Sequence, residues 1–147
     1  MRIIKTQGDL FSFANRYAFV QLVARDGLMN TGIAKQFTEK YPNMKLKMQK
    51  DKSKLTTPGI FPYLNDDNRR IYNLIVKENS FEKATRENLT KTLYLLKDIL
   101  TTKNDKYLAM PLIGSGLNKL DWSTTEESIY QIFGSTDENI VFVYFFN

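Results

Sequence analysis

Histidine and cysteine are both missing from the 147 residues. Without histidine there is no Ser-His-Asp triad, no imidazole general base and none of the common zinc centres. Without cysteine there is no disulfide framework, thiol nucleophile or cysteine metal site. Long hydrophobic runs are missing too, since none approaches the roughly 20 residues that span a bilayer. The first residues, MRIIKTQGDLF, read as a short strand and a turn, with neither the apolar region nor the cleavage site of a signal peptide. The chain is therefore expected in the cytoplasm, without a membrane partner. Any chemistry falls to Lys, Asp, Glu, Ser, Thr, Tyr or backbone amides.

What is present suits a single globular domain over residues 1–147. A hydrophobic content of 42% with 25% charged residues places the chain among ordinary folded proteins, long enough to bury a core. The net charge of +5 favours a polyanionic partner through its field, although lysine-rich surfaces also serve solubility alone.

Strand and helix patterns alternate along the chain. Residues 2–5 form a short strand broken at Gly8-Asp9, and 17–23 (YAFVQLV) read as a strand buried on both faces. A loop, RDGLMNTG, follows over 25–32. Ile33, Phe37 and Tyr41 then mark one helical face, which Pro42 stops. Residues 45–54 carry five lysines. They read as a solvated helix or loop, because no aromatic residues interleave for base stacking. Residues 60–64 and 70–76 are strands around an Asn65–Asn68 hairpin turn. Leu89, Leu93, Leu96 and Leu100 trace the buried face of a long helix. A buried strand over 107–113 ends in Gly114-Ser115-Gly116. Ser123-Thr-Thr-Glu126 has the form of a capping box opening a helix that ends near Gly134, and a last strand occupies 139–146. The alternation predicts an α/β fold with helices on both faces of a mixed sheet.

Two glycine-bearing loops each follow a buried strand and precede a helix, where ligands bind in open α/β sheets. In Gly27-Leu-Met-Asn-Thr-Gly32 the backbone can come close to a ligand, and amides at the following helix start can accept a phosphate. Gly114-Ser115-Gly116 suits a backbone nest around a diphosphate. Neither loop matches the P-loop or the dinucleotide fingerprint. Alone, each is more often an ordinary turn than a site; their joint placement narrows that difference.

In order, the chain carries Gly8-Asp9-Leu10, Met29-Asn30-Thr31-Gly32-Ile33-Ala34, Pro111-Leu-Ile-Gly-Ser-Gly-Leu117 and Leu120-Asp-Trp122, then a β-rich tail, VFVYFF. Over nearly its whole length this order resembles a macro domain. It is most similar to the branch containing terminal ADP-ribose glycohydrolases that act on protein glutamate esters. Bacterial antitoxins that strip ADP-ribose from DNA show a neighbouring pattern. The resemblance implies a three-layer α/β/α domain with a mixed central sheet, no cofactor, no metal, and a monomer.

The resemblance also assigns roles. Asp9 would accept a hydrogen bond from the adenine amine, with the Leu10 amide nearby; the residues alone allow Asp9 to be a turn cap instead. Met29, Asn30, Thr31, Gly32, Ile33 and Ala34 would wrap the distal ribose and one phosphate. Gly114, Ser115, Gly116 and Leu117 would hold the other phosphate. Tyr144 would pack against adenine, or belong to the core. Lys77, at the end of the strand over 70–76, matches a catalytic lysine whose amine attacks or polarises the anomeric carbon once desolvation lowers its pKa.

One position departs from the glutamate-ester hydrolases. Their second loop carries an Asp directly after Gly-x-Gly-Leu, which resolves the Lys-linked intermediate; here Asn118 stands there, and an amide is no carboxylate base. Asp121 is the candidate substitute, while Gln21 and Asp26 in the first strand and loop are not clear replacements. The expectation is a hydrolase releasing ADP-ribose from a protein carboxylate ester, a nucleic-acid base or ADP-ribose 1″-phosphate. The alternative is a non-catalytic ADP-ribose-binding module. A plain nucleic-acid-binding domain, resting on the lysines alone, ranks last.

Overall fold

The structure is a computed structural model that describes residues 1–111, 121–134 and 140–146. Six strands, β1 (Arg2–Gln7), β2 (Ala18–Ala24), β3 (Gly59–Leu64), β4 (Arg70–Lys77), β5 (Tyr107–Pro111) and β6 (Val141–Phe146), form one sheet in the order β1-β6-β5-β2-β4-β3. All neighbours run parallel except β3 against β4. Four helices, α1 (Gly32–Lys40), α2 (Pro42–Lys50), α3 (Arg86–Lys103) and α4 (Trp122–Phe133), cover its two faces. This is the three-layer α/β/α arrangement with a mixed sheet that the alternation implied.

Period-two alternation divides the core. Ala18, Val20 and Leu22 of β2 and Tyr72, Leu74 and Val76 of β4 face the leucines of α3 and Ile129, Ile132 and Phe133 of α4. Phe19, Val23, Ile71 and Ile75 face the other layer, against Phe37, Tyr41, Met44 and Met48 of α1 and α2. Every residue of β2 is buried, as a central parallel strand requires. Arg69 secures the crossing into β2. Its guanidinium lies 3.9 Å over the Phe19 ring and donates to the carbonyls of Phe13, Ala14 and Tyr17.

The helix starts refine the sequence reading. Pro42 ends α1, as expected, but it also opens α2 in its first turn, where a missing N–H costs nothing. The lysine segment is therefore helical up to Lys50, held by buried Met44 and Met48 one turn apart. Thr85 caps α3 by accepting from the Asn88 amide, and Asn104 closes it in a left-handed conformation. The expected capping box at Ser123 is displaced by two residues: α4 starts at Trp122, and its cap is Asp121. Ser123 instead donates its hydroxyl to Asp121 Oδ2 at 2.7 Å. No helix among the described residues is long and apolar enough to cross a membrane.

Candidate active site

The parallel strands β2 and β5 are neighbours, yet the chain leaves β2 toward α1 on one face and leaves β5 toward α4 on the other. A crevice opens at the carboxyl ends of strands where such a reversal occurs. Two described loops border it, residues 25–31 after β2 and residues 78–85 after β4.

The first loop is tightly wound. Gly27 and Gly32 have φ of 66° and 57°, and Met29 between them has φ of 43°. Glycine takes this left-handed region freely, whereas methionine there is strained and must be held. Met29 is held: it is buried, its carbonyl accepts from Thr38 Oγ1 at 3.2 Å, and its sulfur lies 3.9 Å from Gln21 Nε2. Asn30 and Thr31 are left exposed. Thr31 sits at the start of α1 without a side-chain cap, so the amides of Gly32, Ile33 and Ala34 point out of the open helix end. That end suits an anion.

Lys77 is the last residue of β4 and only 7% exposed. Pairing along β2 jumps there: Val23 is opposite Ile75 but Ala24 is opposite Lys77, so Val76 is an extra residue. Such a bulge re-aims the side chain that follows it. Burial lowers the Lys77 pKa, and the carboxylates of Asp26 and Glu82 partly restore it. The amine is thus poised nearer to its neutral, nucleophilic form than an exposed lysine.

Asp26 joins the two loops. Its carboxylate accepts from the Ser80 amide and the Ser80 hydroxyl, both at 2.7 Å, and from the Leu28 amide at 3.1 Å. Burial pushes its pKa up, but the hydrogen bonds from Ser80 and Leu28, with the Lys52 charge, hold it below the usual carboxylate range. Sequence reasoning assigned Asp26 no role, because its partner lies 54 residues away. Asp9, at the end of β1, caps the short turn Leu10–Ser12 by accepting from the Phe11 amide at 3.0 Å. The carboxylate is exposed, and Leu10 beneath it is buried in the α1/α2 layer.

No family model matches the chain. Among solved structures, the macrodomain of Mycobacterium tuberculosis DarG superposes with a TM-score of 0.87 at 25% identity, covering 97% of this chain and 96% of that one. ADP-ribose glycohydrolase OARD1 of Bos taurus is 33% identical over 139 residues, 95% of this chain and 89% of that protein. The chain belongs to the macro domain family. The same fold is seen in Thermosipho africanus DarTG in complex with ADP-ribose, with a TM-score of 0.79 at 20% identity over 97% of this chain and 41% of that one.

Two other residues expected at the site of this macro domain, Tyr144 and Asp121, have structural engagements of their own. Tyr144 is fully buried, its ring 4.2 Å from that of Trp122 in an edge-to-face contact. An enclosed ring offers no face to adenine, so Tyr144 is a core residue: Phe142 and Tyr144 pack in the layer of α3 and α4, and Val143 packs in the opposite one. Asp121 is exposed, but both its oxygens are engaged by Ser123 as the α4 cap. Gly114, Ser115, Gly116, Leu117 and Asn118 lie outside the described residues.

Proposed function

We propose that this macro domain is a hydrolase that releases ADP-ribose from a conjugate, whether a protein carboxylate ester, a nucleic-acid base or ADP-ribose 1″-phosphate. The carrying observation is Lys77, a buried amine of lowered pKa where the β4 strand ends, on which the Asp26 and Glu82 carboxylates act through their charge. The amine adds to the anomeric carbon of the distal ribose as the conjugated group departs, and water then frees ADP-ribose. Asp9 and the Leu10 amide serve the adenine, residues 29–34 the distal ribose and one phosphate, and Gly114–Leu117 the other phosphate. The open amino end of α1 supports the phosphate role. The protein acts as a monomer in the cytoplasm.

Calorimetric titration at moderate salt tests the ligand. Micromolar binding of ADP-ribose, with AMP and ADP far weaker, is expected; no binding by folded protein removes the reading. A second expectation concerns the resolving step. Asp121 is committed to the α4 cap, so the carboxylate absent at position 118 limits that step. Asn118→Asp is expected to raise ester hydrolysis about tenfold or more. An unchanged rate in the folded variant would mean that another group already activates the water.

A further inference from the structure

Two amide side chains interrupt the apolar layer under α1 and α2. Gln21 and Asn73 are fully buried and lie opposite each other in the pairing of β2 with β4. They share their face of the sheet with Phe19, Val23, Ile71 and Ile75. Apolar side chains of similar size would fill this layer without taking two amides out of water.

The hydrogen bonds fix how both amides point. The Phe61 carbonyl can only accept, so Asn73 turns Nδ2 to it, at 3.0 Å, and presents its oxygen to Gln21. Gln21 Nε2 donates to that oxygen at 2.8 Å. The second N–H of each amide goes to a sulfur. Asn73 Nδ2 lies 3.4 Å from Met44 Sδ, and Gln21 Nε2 lies 3.9 Å from Met29 Sδ. All four N–H groups are thereby used, whereas Gln21 Oε1 has no partner among the described residues. A buried oxygen left unpaired costs stability, so stability does not explain the pair.

The place it reaches does. The relay runs from β3 across β4 and β2 to Met29, the buried residue held at φ of 43° between Gly27 and Gly32. Thr38 fixes the Met29 carbonyl from α1, and Gln21 fixes its side chain from the sheet. A thioether answers the inward N–H, whereas a leucine there would offer no acceptor.

We propose that Gln21 and Asn73 are positioning residues, whose amide relay holds Met29 by its side chain and so presets residues 29–34 for the distal ribose and phosphate of ADP-ribose. The proposal deepens the ADP-ribose reading of that loop and rests on it. The test compares Gln21→Met, Asn73→Leu and the double variant, which keep the approximate shapes and drop one or both amides. Unfolding midpoint, amide hydrogen exchange of the free protein and ADP-ribose calorimetry are read on each. Either single variant leaves the other amide unpaired and is expected to lower the midpoint by at least about 3 °C. The double variant leaves neither side chain unpaired and is expected to recover most of that loss. ADP-ribose affinity is expected not to recover with it. In the double variant it stays at least about tenfold below wild type, because ordering the loop then opposes binding. The amides of residues 28–34 are expected to exchange at least about tenfold faster there. Met29→Leu is expected to weaken binding in the wild-type background and to add little in the double variant, as residues acting through one contact do. Affinity that recovers together with the midpoint would make the pair a purely structural one and overturn the proposal. Wild-type protein that is folded but does not bind ADP-ribose would remove the ligand reading; faster loop exchange in the double variant would then still establish the hold on Met29, and unchanged exchange would overturn it.

Discussion

Lys77→Ala is expected to lower turnover of an ADP-ribose conjugate by at least about 10³-fold while the Kd for ADP-ribose changes by less than about threefold. Losing the attacking group removes stabilisation of the transition state alone, so kcat and kcat/KM fall together. The adenine and diphosphate contacts assigned to Asp9, residues 29–34 and the second glycine loop do not involve the amine, which is why binding survives. In the wild type, kcat/KM is expected to rise with pH, because the neutral amine is the reactive form. Its inflection should fall below the ordinary lysine pKa, since burial favours the uncharged state. The stability sign follows from the same shift. A lysine whose folded pKa is lowered destabilises the fold at pH values below that pKa, and the penalty is relieved as pH rises from the folded toward the unfolded value. Lys77→Met, which keeps the volume and drops the charge, is therefore expected to raise the unfolding midpoint at neutral pH while abolishing turnover. Retained turnover in either variant would remove Lys77 from the chemistry, and a midpoint lowered by methionine would contradict the burial cost.

The architecture was legible in the sequence wherever one physical signal had one reading. Nearly continuous apolar character, interrupted at Gln21, marked β2 as buried on both faces, the 89, 93, 96 and 100 leucine spacing marked α3, and Asn65–Asn68 marked the hairpin. Ambiguity entered where one residue serves two elements. Pro42 is both the stop of α1 and the first turn of α2, and the lysines around Met44 and Met48 hid a buried pair with helical spacing. At α4 two capping candidates lay two residues apart, and Asp121 took the cap that the Ser123 motif advertised. Tyr144 sits in a strand apolar on both faces, so parity carried no information about which layer it enters. The site was less legible than the fold because its couplings are non-local. Lys77 stood out only through its family position, and neither its burial nor the bulge at Val76 has a sequence signal. The Asp26–Ser80 link joins two loops that nothing in the linear chain connects.

Asp26→Ala is expected to destabilise the protein by about 2–4 kcal/mol, and this link is the reason. Hydrogen bonds to a charged acceptor contribute about 1.5–3 kcal/mol each in favourable settings, and Asp26 accepts three. Partial exposure of the carboxylate and the water that replaces it reduce the sum. The functional consequence exceeds the global one. Without the carboxylate the loop of residues 25–31 loses its hold on the loop of residues 78–85, and the strained conformation at Met29 loses one of its restraints. Affinity for ADP-ribose is therefore expected to fall at least about tenfold, because ordering the loop must then be paid for on binding. Asp26→Asn separates geometry from charge: its amide oxygen can still accept from Ser80, so binding should recover toward wild type. The same change deletes a negative charge that raises the Lys77 pKa, so the inflection in kcat/KM should move to lower pH. The acid side gives an independent check. Because the folded carboxyl is held below its ordinary range, the stability it contributes is present above the unfolded pKa, about 4, and is lost as pH falls through the folded value. Wild type and Asp26→Asn should therefore converge in unfolding midpoint at low pH and diverge toward neutrality. Parallel midpoints across that range would show that the carboxylate is not what holds the two loops together.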